Sequence, residues 1–183
     1  MDREQAYREL TKRVKSPNLL KHMLAAEAVM RELARHFGED EDLWGLAGLL
    51  HDIDYDETKD DPQKHSLIGA EILEKLGLPA EVVYAVKVHN EAHGLPRKSR
   101  LDQALYAVDP LTGLIVAGAL IRPEKKLEAV TVDFLLNRFH EKSFARGAKR
   151  EQIAACSEIG LTLEEFLAIG LKAMQEIHEE LGL

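Results

Sequence analysis

Leu19, Leu20, Met23, Leu24, Ala26, Met30, Leu33 and Phe37 recur at the three-and-four spacing of an α-helix, and Gly38 follows the last of them. On a strand the same residues would fall on both faces. The stripe therefore commits residues 18 to 37 to a long, one-sided buried helix. The same period returns along the chain. A polar amphipathic helix is expected over residues 2 to 15, ended by Ser16-Pro17-Asn18. A third helix is expected over 41 to 52 through Leu43, Trp44, Leu46, Ala47, Leu49 and Leu50. Pro62 is expected to open a fourth that carries His65, Ile68, Gly69, Ile72, Leu73 and Leu76 to Gly77. Leu78-Pro79 opens another through Val82, Val83, Ala85, Val86 and His89, which Gly94-Leu95-Pro96 breaks.

Ser99 with Asp102 three residues on is a capping-box start for Leu101, Ala104, Leu105, Val108 and Asp109. Pro110 should bend that helix or interrupt its hydrogen bonding, and the apolar run continues to Ile121. Helical segments over 124 to 129, 132 to 145, 149 to 158 and 163 to 181 follow, the last opened by Thr162 with Glu165. No repeat or linker divides the 183 residues. The expectation is an all-α fold: a single-domain helical bundle over 1–183, with a metal-binding core at 18–121 and a helical extension at 122–183.

A formal net charge of −8 argues against a general nucleic-acid or membrane-surface binder, which needs a positive field. Met1-Asp2-Arg3-Glu4-Gln5 has no apolar core of the signal-peptide kind, and no uninterrupted apolar run approaches ~18 residues. A cytoplasmic location is expected, with no membrane and no nucleic-acid polymer as partner; oligomeric state is not encoded legibly. The single cysteine, Cys156, excludes an internal disulfide framework and a thiolate-rich zinc site, and is expected to be a packed residue.

Chemistry concentrates at Leu49-Leu50-His51-Asp52-Ile53-Asp54-Tyr55-Asp56, with His22, His65, His89 and Asp109 at wide intervals around it. Imidazole and carboxylate suit iron, manganese, cobalt, nickel or zinc. His51 and Asp52 are neighbours, about 100° apart around a helix axis, so both reach one ion only at a helix end or bend. His22 and Asp109 would complete that first site. Through its second oxygen, Asp52 could bridge to another ion held by His65 and His89. Two divalent ions so placed can activate a bridging hydroxide and clamp a phosphoryl oxygen.

The ordered set His22, His51-Asp52, His65, His89 and Asp109 closely resembles the HD-domain superfamily of metal-dependent phosphohydrolases, in the binuclear variant with two additional histidines. The stretches His51-Asp52-Ile53, His65-Ser66-Leu67-Ile68-Gly69-Ala70 and Ala107-Val108-Asp109 look like that family's motif blocks, over roughly residues 18 to 121. The resemblance implies an all-helical fold and hydrolysis of a phosphate ester, commonly of a nucleotide. Many binuclear members continue His-Asp-Ile-Gly-Lys, whereas Asp54 and Tyr55 stand here in place of Gly-Lys. The lysine position is tied to substrate handling in the oxygenases of the superfamily, so its absence lowers a di-iron oxygenase reading.

Asp56, Asp54 and Glu57 lie close enough in sequence to orient or deprotonate an attacking water, Asp56 first, because one-ion HD enzymes carry an acidic residue shortly after the pair. His93, one turn past His89, is a candidate to donate to a phosphate or to orient His89. Lys64, Arg97, Lys98 and Arg100 are the candidates for phosphate recognition. His36, His140 and His178 have no partners in the pattern. The expected reaction is attack of a metal-bound hydroxide on a nucleotide or small phosphomonoester; the alternatives are the oxygenase and a non-catalytic nucleotide or ligand sensor.

Overall fold

A computed structural model describes residues 1–183. The fold is helical throughout, with α1 (Arg3–Arg13), α2 (Pro17–Phe37), α3 (Glu41–Leu50), α4 (Tyr55–Thr58), α5 (Leu67–Lys75), α6 (Ala80–Val88), α7 (Arg100–Ile121), α8 (Val132–Phe139), α9 (Arg150–Ala154), α10 (Leu163–Glu176) and α11 (His178–Leu181). Three 3₁₀ turns join them at Glu91–His93, Leu127–Ala129 and Ala155–Ile159. One apolar core extends from Ala6 of α1 to Leu181 of α11.

Helices α2, α3 and α7 position the site. Ser16 caps α2 through Leu19 N, Pro17 takes a first-turn position, and Gly38 closes the helix in the left-handed conformation at φ 69°. Helix α3 lies against α2 at backbone distance. A Cβ on Gly48 would stand 2.7 Å from the Ala26 carbonyl oxygen, so only glycine permits this approach. The closeness brings the end of α3 to His22.

By length and composition α7 is apolar enough to cross a membrane, but Leu105, Leu111, Leu114 and Ile115 are fully buried within this fold. It is the central helix, packed against α2, α6, α9 and α10. Its capping box forms as expected, with Ser99 accepting from Asp102 N and the Asp102 carboxylate accepting from Ser99 N. The helix runs through Pro110 without ending. Proline leaves the carbonyl four residues earlier, that of Tyr106, without its helical donor. The Gln152 side chain supplies one from α9, at 2.8 Å.

Several boundaries depart from expectation: the segment over 124 to 129 forms only the 3₁₀ turn Leu127–Ala129, that over 149 to 158 passes from α9 into a 3₁₀ turn, and that over 163 to 181 divides at Ile177 into α10 and α11. Helix α3 stops at Leu50, and His51 and Asp52 follow it. Pro62 does not start a helix: residues 62 to 66 form turns and α5 begins at Leu67. Its cap, Ser66, sits at φ 71°, a left-handed conformation that costs a non-glycine residue about 1–2 kcal/mol. It is held there by Ser66 N–H to Asp54 and Ser66 Oγ to the Lys87 carbonyl. Finally, α8 ends at Phe139, and residues 140 to 149 are turns wrapped around one side chain, Arg150. Cys156 is buried, as expected of a packed residue, with Sγ near the Leu161 carbonyl oxygen.

Candidate metal centre

Six side chains from widely separated positions converge beneath one cavity: His22 from α2, His51 and Asp52 past the end of α3, His65 before α5, His89 at the end of α6, and Asp109 from α7. Asp52 stands between two donor sets. Its Oδ2 lies 3.4 Å from His22 Nε2 and 3.3 Å from His51 Nε2. Its Oδ1 lies 3.2 Å from both His65 Nε2 and His89 Nε2. Asp109 Oδ1 joins the first set, 3.0 Å from His22 Nε2 and 3.4 Å from His51 Nε2.

The other nitrogen of every ring is already engaged. His51 Nδ1 donates to the Gly48 carbonyl at 2.7 Å and His89 Nδ1 to the Val86 carbonyl at 2.5 Å. His65 Nδ1 donates to Asp54 Oδ1 at 2.9 Å. His22 Nδ1 donates to Thr112 Oγ1 at 2.9 Å, since that hydroxyl gives its own proton to the Asp109 carbonyl. These partners fix the tautomers, so all four Nε2 atoms present lone pairs to the centre. His22 Nε2 and His51 Nε2 are 3.0 Å apart. Two lone pairs and two carboxylate oxygens at such range need positive charge between them. A divalent cation fits this donor set.

Without a cation, protons fill that role. Burial opposes charge on His22, but hydrogen bonds to Asp109 and Asp52 outweigh it and pull the imidazole up to about 9. Burial likewise opposes charge on His65, and Asp52 and Asp54 raise it to about 9. His51 also rises, its burial overcome by Asp52 and Asp109. The Asp52 and Asp109 carboxyls, although burial alone would raise them, are held well below the usual carboxylate range by the histidines around them.

The neighbouring candidates separate by geometry. Asp54 is fully buried and accepts from His65 Nδ1, Ser66 N and Gly69 N, so it orients a ring and caps α5 from afar. Asp56 and Glu57 lie on the short helix α4. Asp56, expected as the proton-transfer residue, instead accepts the Lys15 N–H at 2.8 Å and does not line the cavity. Glu57 is exposed and likewise absent from the lining. His93 donates through Nε2 to the His65 carbonyl at 2.7 Å, and does not line the cavity.

None of the four expected phosphate-binding cations lines the cavity either. Lys64 is paired with Asp61, and Arg97 grips Glu158 while stacking 3.9 Å from the Tyr106 ring centroid. Lys98 lies over Tyr84, and Arg100 pairs with Glu39 over Phe37. Charge near a ligand in sequence does not aim a side chain at it. The cavity, about 670 Å³, is lined by His22, His65, His89 and Asp109 together with Tyr55, Asn90, Glu91, Lys149 and Gln152, among others. Nothing in the sequence signalled Lys149 or Gln152, which lie 40 and more residues beyond Asp109.

The HD domain family matches residues 19–134, and the chain belongs to it. The class defined by this family and site is that of metal-dependent hydrolases. Among curated proteins the chain is similar to Ribonuclease Y of Oleidesulfovibrio alaskensis, 34% identical over 98 residues, covering 54% of this chain and 18% of that protein. Ribonuclease Y of Desulfotalea psychrophila is 35% identical over 96 residues, 52% of this chain and 18% of its own length. That of Aquifex aeolicus is 28% identical over 170 residues, 91% of this chain and 30% of its own length. The chain thus spans less than a third of these relatives. Because their name is that of a ribonuclease, the expectation that no nucleic-acid polymer is involved gains no support from them. No solved structure matches the chain.

Proposed function

We propose that this chain hydrolyses the phosphate ester of a nucleotide or small phosphomonoester at a two-ion centre, with iron or manganese ahead of cobalt, nickel and zinc. The observation that carries the reading is the division of Asp52, one oxygen toward His22 and His51 and the other toward His65 and His89. When bound, such ions supply electrophilic activation of water and of the phosphoryl oxygens.

The protein's own part is preorganisation. Gly48, Val86, Asp54 and Thr112 keep the protons on the outer nitrogens and the Nε2 atoms free. The Asp109 carboxylate is partly open to the cavity, and Tyr55, edge-on to His65 with centroids 5.4 Å apart, forms part of the cavity wall. A volume near 670 Å³ suits a nucleotide-sized molecule.

A second reading, cleavage of RNA, is favoured by the name of the relatives. Against it stands the charge pattern. A polyanion is held by several cations along its track, whereas Lys149 is the single lysine or arginine lining this cavity and the chain carries −8 overall. The test is a panel of mononucleotides, phosphomonoesters and end-labelled RNA oligonucleotides, assayed with manganese- and iron-loaded protein. Turnover of the small esters with intact RNA supports the first reading, and RNA cleavage without small-ester turnover supports the second. No hydrolysis of any phosphate ester at confirmed metal occupancy sinks both.

A further inference from the structure

We propose that Lys149 is the residue that selects a phosphorylated substrate, held ready by Glu91 in a wall whose shape Arg150 fixes. The inference rests on the phosphoester reading above.

Arg150 has no carboxylate partner. Its guanidinium instead donates to six backbone carbonyls, those of Phe139 at 2.8 Å, Ala145 at 3.0 Å, Ala148 at 2.8 Å, Arg138 at 3.3 Å, Glu141 at 3.1 Å and Phe144 at 2.5 Å. Residues 138 to 148 are therefore wound around one planar cation, and the turn backbone that no helix satisfies has found its donors. Ala145 accepts a left-handed φ of 46° within this winding. Ala145, Gly147, Ala148 and Lys149 from this hydrogen-bonded wall line the cavity that also exposes the metal-site residues.

Lys149 is presented from this wall across the mouth to Glu91, with Nζ 2.5 Å from Oε1. The other Glu91 oxygen accepts from the Tyr106 hydroxyl at 3.0 Å. The pair is exposed on both sides, so holding it together gains little stability. Its placement is what counts: of all the lysines and arginines, only Lys149 borders the cavity that also exposes His22, His65, His89 and Asp109. A phosphate dianion entering there meets Lys149, exchanges places with the Glu91 carboxylate, and gains a charge-assisted hydrogen bond. A neutral substrate gains nothing from the exchange. Glu91 thus competes with an incoming phosphate for Lys149, and the weakness of the exposed pair lets a dianion displace it at small cost.

The test compares wild type, Lys149→Ala, Lys149→Arg and Glu91→Gln as metal-loaded full chains. Binding of inorganic phosphate is measured by calorimetry, and KM and kcat by hydrolysis of whichever ester the panel identifies. Lys149→Ala should weaken phosphate binding and raise KM by about tenfold or more, with kcat changed far less and metal content and melting temperature unaltered. Lys149→Arg should restore most of the loss. Glu91→Gln should tighten phosphate binding several-fold. Phosphate affinity equal in wild type and Lys149→Ala overturns the proposal, as does Glu91→Gln weakening it. Because the phosphate measurement needs no turnover, failure of the hydrolase reading and failure of this one remain separable.

Discussion

Asp54 holds His65 Nδ1 at 2.9 Å with one oxygen while its other oxygen accepts from the backbone N–H groups of Ser66 and Gly69, each at 2.7 Å. One buried carboxylate thereby aims a ring at Asp52 and secures the strained start of α5. The Asp54→Asn variant keeps the size but replaces an acceptor oxygen with a donor. Metal affinity on the His65 and His89 side should fall about 10- to 100-fold, read as loss of up to half of the bound metal after dialysis against a weak chelator. The metal-free variant should also melt lower. Unchanged metal content would remove Asp54 from any part in holding the centre.

The metal-free protein should show a distinctive pH dependence. The imidazoles of His22 and His65 are raised in the fold from about 6.5 to about 9, so their contribution is fully present below 6.5 and lost as pH rises through 9. Asp52 and Asp109 are depressed below 3.8, so theirs is present above that value and lost as pH falls through their lower folded values. Denaturation midpoints of the metal-free chain should therefore be highest near pH 5 to 6 and decline toward pH 10. Metal uptake at pH 7.5 should release protons, visible in calorimetry as a dependence on the buffer's ionisation enthalpy. A flat alkaline limb together with buffer-independent heats contradicts the arrangement.

Gln152 should be worth more than its partly polar setting suggests. Gln152→Leu leaves the Tyr106 carbonyl without a donor, and an unsatisfied buried acceptor costs about 1–3 kcal/mol. Pro110→Ala returns an N–H to the helix at the place where that carbonyl waits. In the double variant the Gln152 loss should shrink by about 1 kcal/mol or more, a non-additivity measurable in a urea double-mutant cycle. Strict additivity would mean that the two groups do not share this carbonyl.

Gly48→Ala tests the contact that brings α3 to α2. The added methyl meets the backbone of Ala26 and Glu27 at 2.7 to 2.8 Å, where no side chain can rotate away. A loss of about 1–3 kcal/mol is expected from such overpacking, with weaker metal retention, because the displaced Gly48 carbonyl also holds His51 Nδ1. A variant as stable as wild type would show that the helices can separate without cost.

Much of the site was legible because ligand chemistry is a property of residue type. With one cysteine the donors left are imidazole and carboxylate, and the intervals among the histidines and aspartates follow a family's order. The residues around the ligands were harder to place. Asp54 and Asp56 are two apart and chemically identical, yet one is sealed beneath His65 and the other is tied to Lys15. Arg97, Lys98 and Arg100 are near in sequence and turned to other partners, while Lys149 arrives from the far end of the chain.

By itself the sequence determined the helical period, the capping boxes at Ser99 and Thr162, and the identity of the converging donors, since each depends on the chemistry of residues a turn or less apart or on side-chain type alone. Tertiary structure alone decided which oxygen of Asp52 faces which pair of histidines, where the carbonyl freed by Pro110 finds a donor, and which cation overlooks the cavity. The reason is physical. Those relationships join residues brought in by different helices, 37 apart for Asp52 and His89 and 46 apart for Tyr106 and Gln152, and are set by how closely helices pack, to within fractions of an ångström, which no local pattern of residues specifies.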